Sequence, residues 1–389
     1  MKHRIAIALE YPLMQHGGVE VLVQGLLEGL ADYYEIILVS GDPDVRDIPK
    51  PYSDFITSHI YWDNSSISYA SAKRLALALQ AEKVELVHFN LGGVYTWGGR
   101  LFGRSPVVAC ARLGIPVLTT VHLVESTLEG FCGPQKPCWF KLLLWPGAWL
   151  SRLYTLLHAK QEIAVSDHDM ERMKSWFRPW ETRISRLYHS RIKEERERPL
   201  DFSNREPILL SVGTIGPRKG QPFLIRAFAR VAQAHPAWKL IIVGRANDDG
   251  ISQMMRREIA QADLGDRIVW TGPLPTEEIV DLMYRASVFG MPSLEEGLGL
   301  SLQEALYRGC LAVGSRVGGI PELIDHESNG LLVAPGDVGE LAAALDRVLS
   351  DDALRNRLAS GARPSVIRKQ MTHQQMVENY RRIYDAHLQ

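Results

Sequence analysis

Pro292-Ser293-Leu294-Glu295-Glu296-Gly297-Leu298-Gly299-Leu300-Ser301-Leu302-Gln303-Glu304-Ala305 reads as the end of a buried strand, a glycine-rich turn and the start of a helix. Glycines in such a turn let backbone N–H groups approach a ligand closely, and a helix N-terminus favours an anion such as a diphosphate. Two carboxylates frame the turn, Glu296 just before the helix and Glu304 within it. An ionised carboxylate has several lone-pair sites and so accepts hydrogen bonds from sugar hydroxyls well. Helix capping by Glu296 and a surface position for Glu304 is the plainer reading of the same residues.

The same strand, turn and helix pattern surrounds this stretch. Apolar runs at 207–213, 238–243, 267–270, 287–290, 310–314 and 330–333 alternate with helix-like stretches at 220–234, 251–263 and 276–285. Helical patterns at 337–349, 351–362 and 371–387 close the chain. The first half alternates in the same way, with runs at 4–9, 35–40, 84–89, 116–121 and 161–165 and helix-like stretches at 18–31 and 69–82. Such alternation builds right-handed βαβ units and parallel sheets. The expected class is therefore α/β, with two doubly wound Rossmann-like domains that face each other across a cleft and take ligands beyond the carboxyl ends of their strands. Arg191-Ile192-Lys193-Glu194-Glu195-Arg196-Glu197-Arg198-Pro199 is too polar for a core and reads as a linker or a solvated helix end. The expected domains are 1–195 and 205–369, with a last helix at about 370–389 packing back onto the first.

Three further turns carry residues suited to a phosphate or a sugar. Ser211-Val212-Gly213-Thr214-Ile215-Gly216-Pro217-Arg218-Lys219-Gly220 ends a strand with two cations placed to clamp a leaving phosphate. Its spacing fits neither the Walker loop nor the dinucleotide GxGxxG signature; an Arg-Lys pair at a turn is otherwise ordinary solvated charge. Gln15-His16-Gly17-Gly18-Val19-Glu20 follows the first strand, where paired glycines suit a close approach to phosphate or a plain flexible turn. Thr119-Thr120-Val121-His122 ends another strand with a histidine at the ligand-facing end.

Composition narrows the partners. The 389 residues hold 44 Lys+Arg against 45 Asp+Glu, so nucleic acid is not an expected partner. Four cysteines, Cys110, Cys132, Cys138 and Cys310, are too few for a disulfide-built scaffold and point to a cytoplasmic setting. The run Ile5-Ala6-Ile7-Ala8-Leu9 stops at Glu10 without a cleavage site and reads as a strand rather than a signal peptide. Asp42-Pro43-Asp44 and Asp167-His168-Asp169 imitate a metal-binding Asp-x-Asp, but turn chemistry and an N-cap for a helix at 168–177 explain them, so no metal is expected. Cys132 and Cys138 lack partners for a tetrahedral zinc site; they read as a labile disulfide or two ordinary thiols. Segment 136–152 mixes tryptophan, aliphatic and basic residues. That composition suits a peripheral contact with the cytoplasmic face of a membrane, and equally a buried helix lining the acceptor side of the first domain.

Taken in order, Gly17-Gly18-Val19-Glu20, Thr120-Val121-His122, Val212-Gly213 through Lys219-Gly220, the pair Glu296 and Glu304, Gly318-Gly319-Ile320-Pro321-Glu322 and Asn329-Gly330-Leu331-Leu332-Val333 resemble the retaining glycosyltransferases of family 4, with GT-B fold. The resemblance implies a metal-independent transferase with no cofactor, using a UDP- or GDP-sugar as co-substrate and a carbohydrate or lipid-linked acceptor. It implies that Glu296 holds donor-sugar hydroxyls and Glu304 the ribose. Arg218 and Lys219 would stabilise the departing diphosphate, helped by backbone N–H groups at Gly17 and around Gly299-Leu300, and Gly18, Gly213 and Gly297 would line the nucleotide-sugar site. His122 would lie beside the donor sugar, and the base against backbone from Thr271 to Leu274. The chain departs from the pattern at Thr214, where relatives place Arg, at Leu123, where they place Asp, and at His189-Ser190, where Asn-Gly is usual. A sugar-nucleotide epimerase, a phosphorylase-like enzyme and a non-catalytic sugar-nucleotide-binding subunit are the alternative classes.

Overall fold

Nearly every residue of a run such as Ile5-Ala6-Ile7-Ala8-Leu9 is buried, as a strand covered on both faces requires. In the computed structural model, residues 2–14, 18–63, 68–92, 104–122, 138–194, 198–202, 204–246 and 248–388 are described, with backbone alone at 138–145 and 148. They fall into two units, Met1–His189 with His373–Gln389, and Ser190–Thr372. Each carries one parallel sheet with helices, the α/β architecture of a doubly wound fold.

In the first unit seven strands lie in the order β3-β2-β1-β4-β5-β6-β7. They are β1 (Arg4–Leu9), β2 (Glu35–Ser40), β3 (Ser58–Tyr61), β4 (Leu86–Leu91), β5 (Val117–Val121), β6 (Gln161–Ala164) and β7 (Ile184–Arg186). Ile5 of β1 stands opposite Ile36 on one side and Leu86 on the other. Successive side chains of β1 enter opposite cores, because strand side chains alternate. Ile5, Ile7 and Leu9 join Leu22, Leu26, Tyr380 and Tyr384, while Ala6 and Ala8 join Leu75, Leu79 and Val107. The terminal helix His373–His387 completes the first of these cores; His373 bonds the Gly25 carbonyl at 2.9 Å and Tyr34 donates to Asp385 at 2.6 Å.

In the second unit the order is β10-β9-β8-β11-β12-β13. Here β8 is Glu206–Val212, β9 Lys239–Val243, β10 Ile268–Gly272, β11 Ala286–Met291, β12 Leu311–Ser315 and β13 Gly330–Val333. One large core gathers Leu209, Leu240, Val288 and Val313 of the sheet with Leu224, Phe228, Leu345 and Leu358 of the helices. Side-chain caps set several helix starts, each worth about 1 kcal/mol: Asp337 receives the N–H groups of Gly339 and Glu340, and Asp351 that of Leu354.

The structure departs from the sequence expectations at edges and ends. Strands β3 and β7 are absent from the alternation because they are short edge strands with little apolar content, Ser-His-Ile-Tyr and Ile-Ser-Arg. β4 ends at Leu91, two residues beyond the apolar run at 84–89, because the polar but buried Asn90 continues it to Leu91. The helix after β6 is capped by Ser166, which accepts from the Asp169 N–H, so it spans Asp167–Trp176; the Asp167-His168-Asp169 triplet is its first turn and not its cap. Helix Asp352–Arg368 continues through Pro364, since its buried face of Leu358, Ala362, Ser365 and Val366 extends past the proline.

Candidate functional site

A doubly wound sheet binds ligands where the chain reverses direction across it. In the second unit that point lies between the neighbouring strands β8 and β11. The turn after β8 holds Arg218 and Lys219; the turn after β11 holds Glu296, Gly297 and Gly299. One backbone bond and one side-chain bond lock the two turns together: Leu294 N–H donates to the Arg218 carbonyl at 2.7 Å, and Ser301 Oγ to the Val212 carbonyl at 2.8 Å. Gly220 has φ +67°, and a Cβ there would stand 2.0 Å from the Pro292 carbonyl oxygen, so only glycine lets the turns close this far. The turn after β12 joins them, with Gly319 N–H donating to the Gly297 carbonyl at 2.9 Å. At Gly318, φ +51°, a Cβ would fall 1.7 Å from the Glu296 carbonyl oxygen.

This backbone places Lys219 Nζ 2.6 Å from Glu296 Oε2, which also accepts from Ser293 Oγ at 3.3 Å. The pair is partly shielded, its side chains 25% and 11% exposed. Arg218 is exposed beside it. Gly299, φ +94°, precedes the Leu300–Tyr307 helix, and Glu304 lies within that helix. Arg191 Nε stands 3.5 Å from Glu304 Oε1. The reading of the charged run as solvated linker missed this contact, and Ile192 beside it is buried.

Gly213, Lys219, Glu296, Gly297, Gly299, Leu300 and Glu304 thus belong to turns and a helix start at one switch point. Thr271 lies at the end of the edge strand β10, two strands from β8, and Leu274 in the turn that follows it. A row of backbone bonds connects the turns along this rim: Gly213 N–H donates to Val243 O at 3.0 Å and Gly244 N–H to Gly272 O at 2.9 Å. Thr271 is exposed, its hydroxyl donating to the Gly272 carbonyl at 2.8 Å, and Leu274 is half-buried.

In the first unit His122 directly follows β5, its N–H donating to the Leu91 carbonyl at 3.0 Å. Its Nε2 lies 3.2 Å from Asn90 Oδ1, and its ring centre is 5.2 Å from that of His189. Behind it runs a buried chain. His189 Nε2 meets Tyr380 Oη at 2.7 Å, Tyr380 Oη meets Thr120 Oγ1 at 3.0 Å, Thr120 meets His88 Nε2 at 2.7 Å, and His88 Nδ1 meets Tyr384 Oη at 2.6 Å. Burial holds His122 and His88 down at about 3, and His189 well below the ordinary range. None of Asn90, His88, Tyr380 and Tyr384 stood out in the sequence, and His189 did so only as a departure from the usual Asn-Gly turn. The only trace of the tyrosines is their spacing of one helical turn.

Of the glycine pair, Gly17 lies outside the described residues, while Gly18 opens the Gly18–Leu30 helix with open space beside its Cα. Cys132 and the segment from 136 to the start of the Cys138–His158 helix also fall outside them, as does the Cys138 side chain. In that helix Ser151 and Arg152 are buried and Trp149 packs against the core, whereas Leu150 is exposed. No helix among the described residues is long and apolar enough to cross a membrane. Asp42 accepts from Leu13 N–H and Ser40 Oγ, and Asp44 caps a short 3-10 turn. Among the described residues no three His, Cys, Asp or Glu side chains are grouped to hold a metal ion.

The two families that match are described as Glycosyltransferase Family 4, over residues 16–189, and Glycosyl transferases group 1, over 192–364. With the two sheets described above, these matches make the chain a family 4 glycosyltransferase of GT-B fold. It is 26% identical over 390 residues to the glycosyltransferase MJ1607 of Methanocaldococcus jannaschii, 93% of either chain. Over 148 residues it is 38% identical to the 2-deoxystreptamine glucosyltransferase of Streptomyces kanamyceticus, covering 38% of this chain and 37% of that one. Its fold matches Anabaena Alr3699/HepE, solved with UDP and glucose, at TM-score 0.74 and 16% identity over 99% of this chain and 100% of that one.

Proposed function

We propose that this glycosyltransferase moves a sugar from a UDP- or GDP-sugar to a hydroxyl of a carbohydrate or lipid-linked acceptor, with retention of anomeric configuration and without a protein-bound metal. The observation that carries the reading is the Lys219–Glu296 pair on interlocked turns at the β8/β11 switch point. A cation and a carboxylate held together on fixed backbone suit a ligand that is anionic at one end and rich in hydroxyls at the other. Lys219 and Arg218 take the diphosphate charge that grows as the glycosidic bond breaks, assisted by N–H groups at the start of the Leu300–Tyr307 helix. Glu296 accepts bonds from sugar hydroxyls and Glu304 from the ribose, while the base lies against the backbone between Thr271 and Leu274. His122 stands beside the donor sugar.

In the proposed reaction the acceptor oxygen attacks the face from which the phosphate departs, and the leaving phosphate oxygen takes the acceptor proton. No side chain then has to act as a general base, and the work left to the protein is positioning and charge stabilisation. The match of Alr3699/HepE, whose crystals hold UDP and glucose, supports a nucleotide-sugar donor. Leu150 and Leu157, exposed on the Cys138–His158 helix, support an acceptor with a lipid portion. A thermal-shift panel of UDP-, GDP- and ADP-sugars tests the reading, because a ligand bound to the folded state raises apparent stability by mass action. Selective stabilisation by UDP- or GDP-sugars is expected; indifference to every sugar nucleotide would overturn it.

A further inference from the structure

His122 has a definite hydrogen-bonding state, which its neighbours dictate. The amide of Asn90, on β4, donates through Nδ2 to the Ala8 carbonyl at 3.3 Å, which turns Oδ1 toward His122. A carbonyl oxygen only accepts, so the hydrogen of the 3.2 Å contact belongs to His122 Nε2. A neutral imidazole carries one hydrogen, so Nδ1 is left as the lone-pair nitrogen. Among the described residues, the titratable groups of the buried chain behind this ring are neutral: His88 on β4, His189 at the end of the unit, and Tyr380 and Tyr384 on the terminal helix. His189 is itself fixed by Tyr380, so the face of His122 that it covers is braced as well.

We propose that Asn90 is a positioning residue that holds His122 as the neutral Nε2–H tautomer, so that His122 meets a ligand hydroxyl with Nδ1 as acceptor. The proposal rests on the reading of His122 as a residue beside the donor sugar. Its chemical content is a direction: the sugar hydroxyl donates and the imidazole accepts. Asn90 is set for this by its bond to Ala8 on the neighbouring strand β1.

Long-range proton–nitrogen NMR on the full chain labelled with 15N-histidine tests it, with His122→Asn used to assign the signal. At pH 7 the wild type should show His122 as the Nε2–H form, and Asn90→Leu should show a mixture of tautomers with kcat/KM lowered about tenfold, the scale of one net hydrogen bond. Asn90→Asp, which restores an acceptor and adds a charge, should keep the Nε2–H form and move the acid limb of the pH profile upward. An Nδ1–H tautomer or an imidazolium in the wild type overturns the proposal, and so does an Asn90→Leu variant with wild-type tautomer and rate. Full activity in His122→Ala overturns the underlying reading of His122 instead, whatever tautomer the wild type shows.

Discussion

Lys219 and Glu296, 77 residues apart in sequence, meet in a charge-assisted hydrogen bond of 2.6 Å at the point where the second sheet reverses direction. Neither side chain reaches the other by chance of rotamer, because both are mounted on turns that are bonded through the Arg218 carbonyl and closed against each other at Gly220. In the proposed cycle a diphosphate takes the lysine and the sugar takes the glutamate, so the pair exchanges its internal bond for bonds to substrate. Lys219→Ala should lower turnover by roughly 2–4 kcal/mol of barrier, by analogy with removing an oxyanion donor. Steady-state kinetics at saturating donor check this; unchanged kcat would remove Lys219 from the chemistry.

Glu304 is expected to act on the nucleotide and not on the sugar. Glu304→Ala should weaken nucleoside diphosphate binding by about 1.5–3 kcal/mol, the range for hydrogen bonds to a charged group. Calorimetric titration with UDP or GDP reads that loss, and competition between two sugars on one nucleotide should keep its ratio. A changed sugar ratio with intact nucleotide affinity would reverse the assignment.

The buried histidines make the first unit acid-sensitive. His88 and His122 are held at about 3 by burial and His189 is well below its ordinary range, whereas the unfolded chain titrates near the free value of about 6.5. Below that value the unfolded chain takes up protons that the folded unit refuses. The stabilisation is therefore complete above about pH 6.5 and is lost progressively as pH falls toward 3. Urea midpoints for this unit should drop between pH 7 and 5, before most carboxylates titrate, and a flat profile there would contradict the burial of these rings.

Arg152 and Glu162 form an ion pair almost sealed from solvent, 1% and 0% exposed, with Thr119 Oγ1 donating to the glutamate at 3.0 Å. Glu162→Gln leaves the guanidinium without its counter-charge and should cost about 3–5 kcal/mol of stability. The double variant Arg152→Met with Glu162→Leu should be far milder, because it removes both buried charges together. Denaturant unfolding distinguishes the two outcomes; equal losses would mean that the pair is simply a packing element.

The alternation of apolar runs with helical patterns was enough to read the α/β class, since strands buried on both faces are continuous apolar runs of the kind seen in β1 and β2. The turns were legible where glycine and charge coincide, as at Lys219-Gly220 and Glu296-Gly297. Edge strands β3 and β7 were not, because Ser-His-Ile-Tyr and Ile-Ser-Arg carry too few apolar residues to register. The contacts of His122 were hidden for another reason. Its partners come from β4, from the end of the first unit at His189 and, behind that, from Tyr380 on the terminal helix, and only the folded chain brings these segments together. Arg191 was passed over because the run around it is charged, and a charged run is normally solvated.

The central claim is that the chain breaks the bond between an activated sugar and its nucleoside diphosphate by charge stabilisation from the protein alone. Release of nucleoside diphosphate by the wild-type chain, followed with UDP-, GDP- and ADP-sugars in excess chelator, tests it most directly. The account predicts release from a UDP- or GDP-sugar at a rate indifferent to the chelator. Activity abolished by chelator and restored by a divalent ion, or no release from any sugar nucleotide, would contradict it.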